Sequence, residues 1–361
     1  MTEVQSGLED VVAFATEIAE PDREGGALRY RGVDIEELVG AVPYERVWGL
    51  LVDGAYEPGL PPAGPHPLTV RSGDPRVDVQ AALAMLGAGE NGFRALIDVD
   101  EAEARDNLAR ASGMALSFVA QSARGPGRPP VPQRDVDKAS SIPERFLIRW
   151  RGEADPAHVK AIDAYWIAAA EHGMNASTFT VRVVASTGAD VGAALSAGVG
   201  ALSGPLHGGA PSRVLKMLHD VEREGDAERY VKAVLDRGDR LMGFGHRVYR
   251  AEDPRARVLR RTSKEIGSHR FEVAEALEQA ALAELRARKP DRVLATNVEF
   301  WSAVVLDDAD VPAPLFTSMF SCARVAGWSA HILEQKREGR LIRPTAKYVG
   351  PAPRSLQSLA A

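Results

Sequence analysis

The segment Gly204-Pro-Leu-His207-Gly-Gly-Ala-Pro-Ser-Arg-Val-Leu-Lys-Met-Leu218 holds a histidine at the mouth of an amphipathic helix. Pro211 suits a first helical position, and Val214, Leu215, Leu218 and Val221 recur on one face. Gly208 and Gly209 let a ligand approach the backbone, and the N–H groups of a helix start point at negative charge placed there. An imidazole beside free N–H groups can stabilise negative charge developing on a carbonyl oxygen. A second histidine site follows in Leu241-Met-Gly-Phe-Gly-His246-Arg-Val-Tyr-Arg-Ala-Glu-Asp-Pro-Arg255. Glu299, between Val298 and Phe300 in an apolar run, reads as a buried carboxylate with a task. Arg324 lies within an apolar helix and needs a partner anion, for which a substrate carboxylate is a good candidate. Arg255 sits at a helix start, the end that cations avoid.

These segments resemble the citrate synthase family, whose members carry Gly-Pro-x-His-Gly-Gly-Ala and Gly-His-x-Val-x-x-x-x-Asp-Pro-Arg. Further matches are Leu28-Arg-Tyr-Arg-Gly-Val-Asp-Ile-Glu-Glu-Leu-Val39 and Glu171-His172-Gly-Met-Asn-Ala-Ser-Thr178. Asn297-Val-Glu299-Phe, Ala323-Arg324-Val-Ala-Gly-Trp328 and Ile342-Arg343-Pro344 complete the set in the family's order. The resemblance extends from about residue 28 to about residue 350.

The resemblance implies a reaction that joins the methyl carbon of acetyl-CoA to the ketone of oxaloacetate and then hydrolyses the thioester. A thioester α-carbon is a very weak acid, so its enolate oxygen must be stabilised as the proton leaves. Each tenfold gain in rate needs roughly 1.4 kcal/mol of such differential stabilisation. By motif position, Glu299 is the base and His207 donates to the thioester oxygen. His246 donates to the oxaloacetate carbonyl and passes its proton to the new alkoxide. Arg255, Arg324 and, from the partner subunit of a homodimer, Arg343 match the residues that bind the oxaloacetate carboxylates. His172 matches a histidine contacting that substrate, Phe320 an aromatic wall of its pocket, and Arg250 a cation for the CoA phosphates. The CoA thioester is a substrate, so no cofactor and no metal is expected.

Two departures stand out. Glu299 replaces the aspartate usual in Asn-Val-Asp-Phe and reaches one methylene further, and a displacement of about 1 Å can cost on the order of 100-fold in rate. Glu171-His172-Gly173 replaces Asp-His-Glu, which keeps the histidine and changes its neighbours. A 2-methylcitrate synthase using propionyl-CoA is the nearest alternative, since one methylene is worth only about 1–3 kcal/mol in a pocket. A poorly catalytic, ligand-sensing paralogue is a second. A metal-dependent hydrolase is a third, but no histidine pair has the short helical spacing of His-Glu-x-x-His.

The elements that must position these residues read as helices. Pro43 opens one that ends near Gly54, residues 75–90 and 101–121 carry two more, and 122–133 is an irregular surface loop rich in glycine and proline. From Pro156 to Thr187 the pattern is a long buried helix or two, broken around His172-Gly173. The run Thr178-Phe-Thr-Val-Arg-Val-Val-Ala has strand propensity, but its flanking alanines and length favour helix. Asp253-Pro254 caps a helix running to about Gly267, 271–288 follows, and Arg324 sits in a helix from about Ala313 to Glu338. Strand is expected only around Tyr30.

At 361 residues the chain exceeds the size at which single cores stop growing. A mainly α, two-domain fold is the reading. The family resemblance sharpens it to a large helical domain, 1–210 and 313–361, and a smaller mobile helical domain, 211–312. A net charge of −6 argues against a nucleic-acid surface, and the single cysteine, Cys322, excludes an intrachain disulfide. No uncharged apolar run reaches the roughly 18 residues of a membrane span. The opening Met-Thr-Glu-Val-Gln-Ser-Gly is neither basic nor apolar, so a cytoplasmic protein is expected. The family resemblance implies a role in the tricarboxylic acid cycle and, with its motifs starting about 27 residues in, no large N-terminal regulatory domain.

Overall fold

Asp-Pro dipeptides punctuate this chain, and each starts a helix. The proline supplies a preset φ at a position that needs no donor, while the aspartate accepts from the first free N–H groups. Asp74 thus accepts from the N–H of Arg76 and Val77, Asp155 from Ala157 and His158, and Asp253 from Arg255. A computed structural model of the chain describes residues 6–8, 11–22, 24, 26–205, 207, 211–245, 249, 251–292 and 294–355.

Near the N-terminus three short strands, β1 (Ala19–Asp22), β2 (Ala27–Tyr30) and β3 (Val33–Asp34), form an antiparallel sheet in that order, with Glu20 opposite Arg29. All else that is regular among the described residues is helical. The first group is α1 (Ile35–Leu38), α2 (Tyr44–Asp53), α3 (Pro75–Met85), α4 (Glu101–Arg124), α5 (Gln133–Val136) and α6 (Ile142–Arg151). Then come α7 (Pro156–Ala169), α8 (Ala176–Ser186), α9 (Val191–Leu202), α10 (Pro211–Glu224) and α11 (Ala227–Asp236). The last are α12 (Pro254–Glu265), α13 (Phe271–Arg288), α14 (Val298–Asp308) and α15 (Phe316–Glu338). The fold is mainly α, as the sequence predicts.

Boundaries follow the sequence signals with small corrections. Residues 178–185 are helical, as their length predicts, and the break between α7 and α8 spans His172-Gly173. Helix α3 stops at Met85, short of the expected 90, and α4 continues to Arg124, so the irregular segment is 125–132. Residues 313–315 form a tight 3-10 turn ahead of α15, which ends at Gly339 in the left-handed conformation (φ 66°) that glycine tolerates without strain.

Helix α15 is the axis of the molecule, packed against α2, α4, α7, α8 and α9. Helices α10, α13 and α14 pack together, and α12 and α14 also lie against α7. One continuous apolar core runs through these contacts and includes the fully buried Trp48, Trp166, Trp301 and Trp328. No helix among the described residues is long and apolar enough to cross a membrane.

Candidate active site

His207 lies in the connection between α9 and α10, its N–H donating to Gly204 O at 2.9 Å. Helix α8 supplies what its ring needs. Asn175 caps α8 by accepting from Thr178 N, and the N–H of Ser177, in the first turn, donates to His207 Nε2 at 3.3 Å. A backbone N–H can only donate, so Nε2 carries the lone pair and a neutral ring must hold its proton on Nδ1. The remaining contact to the ring comes from His207's own backbone, whose hydrogen bond favours its proton. Ser177 Oγ, 3.0 Å from Nε2, also donates to Asn175 Oδ1 and receives the Trp328 indole N–H from α15. Burial, then the Arg324 charge, pushes the His207 pKa down to about 4. At neutral pH the ring is therefore uncharged, with its proton on Nδ1.

Two side chains of α15 stand beside it. The Phe320 ring meets the imidazole edge-on at 6.3 Å between centroids, and the Arg324 guanidinium lies 4.8 Å over the Phe320 ring. Arg324 is buried, and its Nε donates to Ala169 O at 3.0 Å. Its terminal nitrogens have no hydrogen-bond partner among the described residues, which leaves a fork suited to a carboxylate. Burial disfavours the charge on Arg324, and the Glu171 carboxylate favours it.

Asp253 organises the other side. Its carboxylate caps α12 through Arg255 N, pairs with the Arg255 guanidinium at 2.9 and 2.8 Å, and accepts Val298 N, the first N–H of α14, at 2.9 Å. One buried carboxylate thus starts two helices and fixes Arg255 relative to Glu299. Glu299 is half-buried in the first turn of α14, below the cap Asn297. Burial raises its carboxyl pKa, Arg255 opposes the rise and Asp253 adds to it. Asn297 N and Nδ2 bond to Gly243 O and Gly245 O, and Gly245 N to Ala295 O. The chain leading to His246 is therefore tied to the base of the Glu299 helix.

His172, buried in the α7–α8 turn, spans the two sides, with Nε2 3.0 Å from the Tyr249 hydroxyl. The structure therefore groups His207 with Phe320 and Arg324, and Arg255 with the Glu299 helix; His172 contacts Tyr249, and the Arg255 and Arg324 charges act on one another. His246, Arg250, Gly208 and Gly209 lie outside the described residues. Arg343 does not join the clusters of its own chain; it is exposed on the segment after α15.

Behind Arg324 is a buried chain of groups the sequence does not reveal. The Arg182 guanidinium binds Glu334, Glu338 and Gln335 Oε1 and approaches His331 Nδ1 at 3.2 Å. A guanidinium cannot accept, so neutral His331 holds its proton on Nε2, 3.4 Å from Glu171 Oε1. Both Glu171 oxygens lack a hydrogen-bond partner among the described residues. Gly327 makes this approach possible: its N–H donates to Ala170 O, and a Cβ there would sit 2.6 Å from that oxygen. One sequence signal was available, because Phe320, Arg324, Trp328, His331 and Gln335 recur on a single face of α15. Among the described residues, no group of three or more His, Cys, Asp or Glu side chains could hold a metal ion.

The family model for the citrate synthase C-terminal domain matches residues 7–61 and 67–345. This chain belongs to the citrate synthase family. A Mycobacterium tuberculosis protein provisionally named citrate synthase 2 is 67% identical over 354 residues, covering 98% of this chain and 95% of the relative. Citrate synthase of Haloferax volcanii is 35% identical over 377 residues, 96% of each chain. Among solved structures, the Thermoplasma acidophilum citrate synthase in ternary complex with carboxymethyl coenzyme A and oxaloacetate superposes with a TM-score of 0.81. It is 28% identical and covers 98% of both chains. The chain is thus an enzyme of the citrate synthase type.

Proposed function

We propose that this protein condenses acetyl-CoA with oxaloacetate and hydrolyses the product to citrate and CoA, an acyltransferase that turns the acyl group into alkyl on transfer. The observation carrying this reading is the neutral His207, with Nε2 occupied by Ser177 N–H and its proton on Nδ1, beside Phe320 and Arg324. Such a ring can donate to a thioester oxygen without repelling the Arg324 cation. In the proposed step the Glu299 carboxylate takes a methyl proton as His207 Nδ1–H stabilises the enolate oxygen. The carbon then attacks the ketone of oxaloacetate, held through its carboxylates by Arg255 and Arg324 and contacted by His172, with Phe320 as the aromatic wall. His246 gives its proton to the alkoxide, and water cleaves the thioester. Arg250 is assigned to the CoA phosphates, and no cofactor enters these steps.

In the same proposal, 211–312 is a small domain that closes over 1–210 and 313–361, and the working unit is a homodimer with Arg343 completing its partner's site. A cytoplasmic role in the tricarboxylic acid cycle follows from that activity.

The test is thiol release from acetyl-CoA and from propionyl-CoA, with and without oxaloacetate. Glu299→Gln should lower oxaloacetate-dependent release by at least about 100-fold, the ordinary range for a general base. It should leave oxaloacetate binding intact. Faster turnover of propionyl-CoA would assign the chain to methylcitrate synthesis instead, and oxaloacetate binding without release would leave a ligand sensor.

A further inference from the structure

Far along α4 from its N-terminus, the ends of α4 and α6 and the irregular segment 125–132 line a shallow recess, partly open to solvent. Its wall contains four arginines, Arg71, Arg124, Arg128 and Arg149, with Gln121 among the other lining residues and no carboxylate. The hydrogen bonds these arginines make go to uncharged acceptors. Arg71 donates to Gln121 O at 3.3 Å, Arg124 to Pro129 O and Trp150 O at 2.7 and 2.9 Å, and Arg149 to Gln133 Oε1 at 2.9 Å. Arg128 makes none among the described residues, and none of the four is within an ion pair there.

This departs from how the chain treats its other arginines. Arg105 pairs with Asp53, Arg145 with Asp137, Arg182 with Glu334 and Arg255 with Asp253. Acidic residues outnumber basic ones, 50 to 44, so four unpaired guanidinium groups around one hollow do not reflect a shortage of carboxylates. Helix-end capping accounts for Arg124, which binds the Trp150 carbonyl in the last turn of α6. It does not account for Arg71, on a separate segment, or for Arg128, which caps nothing. Arg149 is half-buried; burial, then the nearby Arg145, works against its charge, and the Asp137 carboxylate only partly offsets them. Converging like charges raise the local potential until an anion joins them.

We propose that this recess binds a phosphoryl group, cradled by the guanidinium forks of Arg71, Arg124, Arg128 and Arg149. Planar forks match phosphate oxygens two at a time, and a recess open to solvent lets a larger remainder project outward. The site is separate from the cluster around His207, so it stands or falls independently of the condensation reaction. Inorganic phosphate and the terminal phosphate of a nucleotide share the required chemistry.

The experiment is calorimetric titration of the whole protein with inorganic phosphate, tripolyphosphate and ATP at fixed ionic strength. Wild type and Glu299→Gln should bind alike, and the double variant Arg71→Gln, Arg128→Gln should bind at least tenfold more weakly. Both substituted residues are exposed, and thiol release by the double variant should match wild type, which shows that it is folded. Tighter binding of ATP than of tripolyphosphate would point to a nucleotide as the natural source; equal binding would point to the phosphoryl group alone. Undiminished binding by the double variant, or binding of none of the three probes by wild type, would overturn the proposal.

Discussion

At His207 a single backbone N–H decides the chemistry. Ser177 N–H occupies Nε2 and leaves the proton on Nδ1, while burial and Arg324 hold the ring neutral. The folded pKa of about 4 lies below the value near 6.5 expected in an unfolded chain. The folded state therefore binds fewer protons between those values, and the stability tied to this ring is fully present above about pH 6.5. It is lost as pH falls toward 4. Urea unfolding at pH 7.5 and pH 5 should show a smaller acid-induced loss for His207→Asn than for wild type. Parallel losses would show that the ring is not held neutral. The histidine itself was legible from its glycine-rich setting and from the family's motif. Ser177 was not: a serine in a helix's first turn reads as ordinary capping chemistry, and only the fold brings His207 to it. The Glu171–His331 approach was hidden for a related reason. Its partners are 160 positions apart in sequence, and the glycine that admits them, Gly327, looks like a poor helix former rather than a point of contact.

Among the elements, α12 and α14 are joined by the same carboxylate, and this sets the distance between Arg255, proposed to bind substrate, and the proposed base. Asp253 is wholly buried and Arg255 nearly so. Removing one member of a buried pair typically costs about 3–5 kcal/mol, because it leaves the other charge without its counterpart. Asp253→Ala should lose stability in that range in chemical denaturation, with the N-caps of both helices weakened. A loss below about 1 kcal/mol, the ordinary worth of a single cap, would mean that the carboxylate serves only α12. The Asp-Pro signal predicted the start of α12 from sequence, since capping is a local event. Its second role, at Val298, could not be read because it depends on where α14 lands. The same limit explains the small errors at α3 and α4: helix ends there are set by packing against α9 and α6, which local propensity does not see.

For the whole molecule, the mainly helical class followed from hydrophobic periodicity, and the family from spaced motifs that survive over most of the chain. Division into moving parts is less visible, because the apolar core is continuous across α7, α12 and α14. The proposed dimer has a sharp genetic test. If Arg343 serves the partner's site, mixed dimers of Glu299→Gln and Arg343→Ala chains contain one site with both residues intact. Co-expression should then restore measurable thiol release, where each variant alone shows little. Failure of mixed dimers to regain activity would place Arg343 within its own subunit's chemistry or outside it altogether. The chain's sequence-distant segments also meet: Thr16 Oγ1 and Glu17 N both donate to Glu334, and the Phe14 ring covers the Arg182 guanidinium that Glu334 binds. Contacts separated by 318 positions cannot form until α15 has left the ribosome. During synthesis, then, the early strands and helices wait for α15, and the nascent protein acquires its Phe320–Arg324 wall only once that helix has emerged.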